Sequence, residues 1–311
     1  MSELPATRVA IVGAGVMGAG IAQVFADAGL EVAVYDPDAA ARGSAPARIA
    51  TGLALLRRPA GPALSRLRVE ADLAAAVEGA QLVVEAASER LDLKQRIFAD
   101  LDDRTDAGVV LASNTSAFPI TAIARDARRP ERVIGTHFWN PPYLLPLVEV
   151  VQSAATTAAT VAWTMRLLRD AGTEPVHVRT DLPGFVGNRL QHALKREAIA
   201  LVAAGVCDAA TVDLVTRHGF GARLGIVGPL EQSDLSGLEL TLAIHEVLMP
   251  SLDRTATAHP YLVKKVHSGQ TGAAVGQGFR RWAPGEADER RREVTRELVA
   301  AALRRREERS S

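Results

Sequence analysis

The stretch Val9-Ala10-Ile11-Val12-Gly13-Ala14-Gly15-Val16-Met17-Gly18, closed by Val32-Ala33-Val34-Tyr35-Asp36, decides the fold of this chain. It reads as a buried strand, a glycine turn, a helix, a second buried strand and an acid. Glycine spacing alone says little. It gains meaning between a strand and a helix, with an acid about 20 residues on. Gly13 permits the tight turn, Gly15 puts no side chain between the backbone and a pyrophosphate, and Gly18 allows close helix packing. The helix opens at Val16 and Met17, where free N–H groups and the positive dipole end favour phosphate. Asp36 can accept hydrogen bonds from a ribose 2′-OH and would repel a 2′-phosphate, so the expected cofactor is NAD and not NADP.

Working outward, the 311 residues are enough for roughly two domains. Lys and Arg total 36 and so do Asp and Glu, so no net basic field draws nucleic acid or an anionic membrane. No apolar run approaches the roughly 18 residues of a spanning helix. The first residues, Met1 to Thr7, lack a charged-then-apolar leader. A single cysteine, Cys207, excludes an internal disulfide and a cysteine metal site, and no metal ligands are expected. These features point to a cytoplasmic protein.

Apolar, β-branched runs mark strands at Arg8–Val12, Glu31–Asp36, Leu67–Glu70, Gln81–Ala86, Gly108–Ala112, Arg132–His137, Leu147–Val151 and Glu174–Val178. Helical stretches Met17–Ala28, Leu91–Leu101 and Val161–Asp170 alternate with them. The expectation is an α/β fold: a Rossmann-type, doubly wound, mainly parallel sheet over 1–182. Thr180-Asp181-Leu182-Pro183-Gly184 is a turn-rich hinge. Beyond it only helical spacing is seen, at Arg189–Ala204, Ala209–His218, Leu238–Leu248, Tyr261–His267 and Glu286–Arg306. The second domain, 183–311, is therefore expected to be all helical. The last helix has a narrow apolar side (Val294, Leu298, Ala301, Leu303), and its arginines alternate with glutamates, as on a solvated face.

His137 lies at the end of a predicted strand, in Gly135-Thr136-His137-Phe138-Trp139-Asn140-Pro141-Pro142-Tyr143. Ligands of open α/β sheets sit at the carboxyl ends of strands. Glu149 stands within the apolar run Pro146-Leu147-Val148-Glu149-Val150 and needs a partner if buried. His137 can be that partner: a carboxylate holds the ring in one tautomer and supports the imidazolium that forms on proton uptake. Ala112-Ser113-Asn114-Thr115-Ser116 can present hydroxyls at a strand end or cap the short helix opening at Ile120. Asn188, in Pro183-Gly184-Phe185-Val186-Gly187-Asn188-Arg189, can reach the site from the second domain or cap a helix.

These motifs, in this order, resemble the 3-hydroxyacyl-CoA dehydrogenase family over essentially the whole chain. The resemblance rests on the glycine fingerprint, Val83-Val84-Glu85-Ala86, Ser113-Asn114-Thr115-Ser116, Thr136-His137-Phe138-Trp139-Asn140-Pro141, Leu147-Val148-Glu149-Val150 and Pro183-Gly184-Phe185-Val186-Gly187-Asn188-Arg189. It implies His137 as base, Glu149 as its orienter, Ser116 as a substrate-contacting serine and Asn188 as an active-site asparagine. Asn140 joins Ser116 and Asn188 as an expected substrate contact. Glu89 and Lys94 fall on nicotinamide-side contacts, and the helical domain is expected to form a homodimer.

The implied reaction is NAD-dependent interconversion of a 3-hydroxyacyl substrate, first of all a CoA thioester, and its 3-keto product. Some stretches differ from the CoA-using members. Those carry a longer, lysine-containing excursion after the second strand, whereas Pro37 to Arg68 here has arginines and no lysine. Pro141-Pro142-Tyr143-Leu144-Leu145-Pro146 and Gly219-Phe220-Gly221-Ala222-Arg223 are similar to the carnitine and gulonate dehydrogenase (lambda-crystallin-like) branches. Near the C-terminus, Ala274 and Val275 stand in a glycine-rich turn where the family usually has lysine and threonine. A free small hydroxy acid of the carnitine, gulonate or pyridine-carboxylate kind is therefore the alternative substrate. A non-catalytic NAD-binding structural role is the alternative of another class.

Overall fold

The computed structural model describes residues 7–310. The chain packs as two units. One takes the chain up to Arg189 and again from Thr295 onward; the other is Leu190–Val294. The sequence boundary at 182/183 thus differs from the packing division by a few residues. The end of the chain also returns to the first unit.

The first unit is built on one sheet of eight strands: β1 (Arg8–Val12), β2 (Glu31–Tyr35), β3 (Leu67–Glu70), β4 (Leu82–Glu85), β5 (Val110–Ser113), β6 (Val133–Phe138), β7 (Leu147–Val151) and β8 (Glu174–Val178). Their spatial order is β3-β2-β1-β4-β5-β6-β7-β8. Each strand read from the sequence is present. The pairs from β3 through β6 are parallel, whereas β6 and β7 run antiparallel. The connection between β6 and β7 is too short for a helical crossover, so the chain turns back on itself. Because β1 feeds β2 on one side and pairs β4 on the other, the strand order reverses beside β1, where ligands of such sheets bind.

Both faces of the sheet are covered. Val9, Ile11, Val32, Val34, Leu82 and Val84 face helix α1 (Val16–Asp27) and its neighbours. Ala10, Val12, Val83, Leu111 and Val133 face Phe98, Leu101, Ile120 and Ile123. The longest element that escaped the sequence reading, besides the short helices Ala60–Leu64, Leu73–Val77, Gly221–Leu224 and Pro229–Ser236, is helix α2 (Ala39–Leu55). Its Gly43, Pro46 and Gly52 read as breakers. Asp38 caps its start by accepting from the Ala40 amide at 2.9 Å, and Ala45, Ile49 and Leu53 bury one stripe at i, i+4, i+8.

The unit Leu190–Val294 is helical, as expected, but has almost no interior. Among its residues only Gly278 is buried. Leu238, Leu240, Leu242, Ile244, Val247 and Leu248 of the helix Leu238–Leu248 are all exposed. Among the described residues no helix is long and apolar enough to cross a membrane.

Candidate active site

The glycine turn follows β1 directly. Gly13 has φ of +112°, and a Cβ there would come within 2.7 Å of the Ala86 carbonyl oxygen, so turn conformation and close approach both require glycine. A Cβ at Gly15 would find nothing within 4 Å, which leaves the open cradle that a bound pyrophosphate requires. No side chain caps α1, so its first amides remain available to an anion. Asp36 sits at the end of β2. One carboxylate oxygen accepts from the Ala14 amide at 2.8 Å and the other from the Asp38 amide at 2.9 Å, which fixes the acid beside the turn. These residues fit a dinucleotide.

Along the same edge of the sheet, β6 and β7 place His137 directly opposite Glu149. Opposed residues of an antiparallel pair share a face, so two groups far apart in sequence come into contact. His137 Nδ1 lies 2.8 Å from Glu149 Oε2, and the residues are only 4% and 1% exposed. The other carboxylate oxygen accepts from the amides of Val186 and Gly187 at 2.9 and 3.0 Å. Burial pushes the Glu149 carboxyl up. The His137 hydrogen bond and the two amides outweigh burial and hold it below its ordinary range. A carboxylate so held takes the Nδ1 proton as a hydrogen bond, which leaves the Nε2 lone pair outward. Among the described residues no group bonds to Nε2.

The loop that aims those amides is strained. Phe185 has φ of +50° and follows Gly184 at +76°. Its buried ring lies 5.8 Å from the His137 ring, and the Trp139 ring lies 5.4 Å away on another side. A Cβ at Gly187 would stand 2.3 Å from Trp139 Cζ2, so this glycine is what lets the Val186–Gly187 amides and Trp139 occupy one place.

Ser116 lies in the loop after β5 and is exposed. Its amide donates to Glu89 Oε1 at 3.0 Å, its carbonyl accepts from Asn188 Nδ2 at 2.9 Å, and its hydroxyl has no partner among the described residues. Asn188, read in sequence as reaching in from the second domain, belongs to the sheet's own unit. Neither polar cluster does the capping that was its alternative. The helix Ile120–Ile123 starts at Pro119 with no side-chain cap, and the Asn188 amide goes to Ser116. Asn140 is exposed just beyond Trp139.

Glu89 and Lys94 belong to a network that the sequence did not disclose. Lys94, 1% exposed, donates to both oxygens of buried Glu85 at 2.7 and 3.0 Å and lies 3.2 Å from Glu89 Oε2. Glu85 also accepts from the Ser113 hydroxyl at 2.6 Å, and Glu89 from the Thr115 hydroxyl at 2.6 Å. Partial burial raises the Glu89 carboxyl. The Thr115 hydroxyl, the Lys94 charge and the Ser116 amide together bring it below its usual value. The network pins the Ser113–Ser116 loop from beneath, and Asn114 Oδ1 accepts from the Phe138 amide at 2.9 Å, next to His137. The available signal was Glu85 itself, an acid ending the apolar strand Leu82-Val83-Val84-Glu85.

Residues 8–182 match the NAD-binding domain of 3-hydroxyacyl-CoA dehydrogenase, and residues 184–282 match its C-terminal domain. The chain belongs to the 3-hydroxyacyl-CoA dehydrogenase family. It is an NAD-dependent oxidoreductase of that family. It is 33% identical to the 5-formyl-3-hydroxy-2-methylpyridine 4-carboxylate 5-dehydrogenase of Mesorhizobium japonicum over 94% of this chain and 96% of that one. With the L-carnitine dehydrogenase of Streptomyces coelicolor it shares 41% over 84% of each chain. With a probable 3-hydroxybutyryl-CoA dehydrogenase of Bacillus subtilis it shares 38%, covering 88% and 96%. A crystal structure of a pyridine-carboxylate 5-dehydrogenase, described as an NAD+-dependent dismutase, superposes with a TM-score of 0.88 at 32% identity, covering 94% and 96%. The M. tuberculosis FadB2 structure gives 0.74 at 36%, covering 89% and 99%.

Proposed function

We propose that His137 is the general base of this dehydrogenase and that its substrate is a small free hydroxy acid without CoA. The observation that carries the first part is the buried His137–Glu149 pair. It fixes one tautomer and leaves Nε2 open at the sheet edge where the glycine turn receives a dinucleotide. NAD, when bound, supplies the hydride acceptor. The turn at Gly13 and Gly15 and the amides of Val16 and Met17 would hold its pyrophosphate, Gly18 lets α1 lie close against that turn, and Asp36 would hold its ribose. His137 Nε2 takes the substrate hydroxyl proton, and Glu149 stabilises the imidazolium. The free Ser116 hydroxyl, Asn188 and Asn140 orient the substrate oxygen and chain. Glu89 and Lys94 hold the loop that carries Ser116 and border the nicotinamide side.

Two features support the substrate class. The higher TM-score, 0.88 against 0.74, is with the pyridine-carboxylate enzyme, and that likeness covers nearly the whole chain. Five of the six arginines of the 37–68 segment are also engaged within the protein: Arg42 on the Asp36 carbonyl, Arg48 near the Ala14 carbonyl, Arg58 on Asp27, Arg66 on the Pro62 carbonyl and Arg68 near Glu70. Among the described residues of the segment, Arg57 alone is left to meet the phosphates of a CoA.

The coreless helical unit supports a homodimer, in which a second copy buries the apolar side chains of Leu238–Leu248. Kinetics with L-carnitine, gulonate, a hydroxymethyl-pyridine carboxylate and 3-hydroxybutyryl-CoA test the reading. A free acid giving the highest kcat/KM is the expected outcome, and strong preference for the thioester overturns the substrate class. His137→Gln should lower kcat by about 10⁴-fold while NADH still binds. Turnover near wild type would remove His137 from the reaction.

A further inference from the structure

The helix Glu286–Ser310 begins beyond residue 282, where the match to the family's C-terminal domain ends. Its later turns belong to the sheet's unit. There Leu298, Val299 and Ala302 pack with Leu56, Tyr143 and Leu144; Ala302 is 5% exposed and Leu144 1%. The buried contact falls on Ala302, one position from the Ala301 expected in sequence. The Arg305 guanidinium donates to the Leu144 carbonyl. Arg306 pairs with Asp27 at 2.8 Å, and Asp27 also receives Arg58 at 2.9 Å. The charged face read as merely solvated thus contributes two tethers.

The apolar contacts and the Arg305 hydrogen bond converge on the turn 141–145, in which the amides of Leu144 and Leu145 both donate to the Pro141 carbonyl at 3.0 Å. Its other side rests on α1, where a Cβ at Gly20 would lie 2.8 Å from Pro142 Cδ. The turn is therefore gripped between α1 and the C-terminal helix. It begins one residue after Asn140 and two after Trp139, whose ring flanks His137. With only two soft dihedrals per residue, displacement of the gripped turn moves both neighbours.

We propose that Leu298–Arg306 is a strap that fixes the 141–145 turn, and through it Asn140 and Trp139, for binding of the substrate beside His137. Leu298, Ala302 and Arg305 are positioning residues. Their contacts are with Leu56, Tyr143 and Leu144, and the coenzyme turn Gly13–Gly18 lies outside that set. The proposal rests on the reading of His137 as base and extends it to substrate affinity.

The test compares Arg305→Ala, Arg305→Lys and Leu298→Ala with wild type in the full chain. The readouts are KM and kcat with the hydroxy acid that yields NADH, NADH affinity by fluorescence, and hydrogen exchange across 139–146. For Arg305→Ala the strap requires a rise in KM of about tenfold, the loss of one charge-assisted hydrogen bond. It also requires kcat and NADH affinity within about twofold of wild type, with faster exchange confined to that segment. Arg305→Lys, which keeps a donor, should recover part of the affinity. Unchanged KM and exchange overturn the strap. So does a parallel loss of NADH affinity, which would mark general destabilisation. If His137→Gln proves fully active, the base reading fails, while the exchange data still decide the strap.

Discussion

Two buried carboxylates lie beside opposite ends of β6, and only one has a chemically free neighbour. Asp102, 1% exposed, sits where β5 and β6 begin. It takes the guanidinium groups of Arg132 and Arg129 at 2.5 and 3.0 Å and the amides of Arg128 and Arg129 at 2.7 and 3.1 Å. Arg132 in turn spends further donors on the carbonyls of Asp106 and Val109. Every strong group in this cluster faces another, which is what a staple needs. Glu149, near the other end of β6, is as well satisfied, yet its partner His137 keeps one nitrogen open. Burial and ionic pairing alone do not mark a site; a satisfied acid whose partner has bonding capacity left over does.

The largest effect expected from breaking this contrast is in Glu149→Gln. An amide cannot support the imidazolium, so kcat should fall roughly 10²–10⁴-fold in steady-state assays while NADH binding persists. Asp102→Asn should do the converse. It leaves Arg132 buried without its counter-charge and should cost about 3–5 kcal/mol of stability in chemical denaturation, with kcat per folded molecule little changed. Its pH dependence sharpens the point. Burial raises the Asp102 carboxyl, but the Arg132 hydrogen bond, the Arg128 amide and the two guanidinium charges bring it below its ordinary value. Its contribution is therefore full above the usual carboxylate range and drains away as pH falls through the depressed value. Asp102→Asn should flatten that acid limb of the stability curve. Ser116→Ala should lower kcat/KM by about tenfold, the worth of one hydrogen bond in the transition state. Asp36→Ala should weaken NAD by several-fold, within about tenfold, and narrow the gap to NADP in binding titrations.

The sheet was legible because each strand is a short apolar run bounded by turn residues, and burial on both faces leaves that pattern unbroken. The His137–Glu149 contact was legible for a related reason: an acid inside an apolar strand demands a partner, and an antiparallel neighbour can supply it. Helix α2 was not, because Pro46 and Gly52 contradict its local pattern. A Cβ at Gly52 would lie 2.1 Å from Gln23 Oε1 of α1, so that glycine answers to tertiary packing. Lys94 was expected from the family likeness to face the coenzyme, but its closure between Glu85 and Glu89 joins groups on three elements, and no local pattern encodes it. The helices of Leu190–Val294 were legible as elements. The described residues of a single copy leave the apolar side chains of Leu238–Leu248 exposed, so no internal packing pattern was there to be read.

If His137 is the base, Glu149 contributes to the chemical step through His137 alone. The decisive measurement is the double-mutant cycle of kcat for His137→Gln and Glu149→Gln, with NADH binding confirmed for each variant. Adding Glu149→Gln to His137→Gln should cost nothing further, because the orienter has no base left to serve. Two losses that multiply would contradict that role of Glu149.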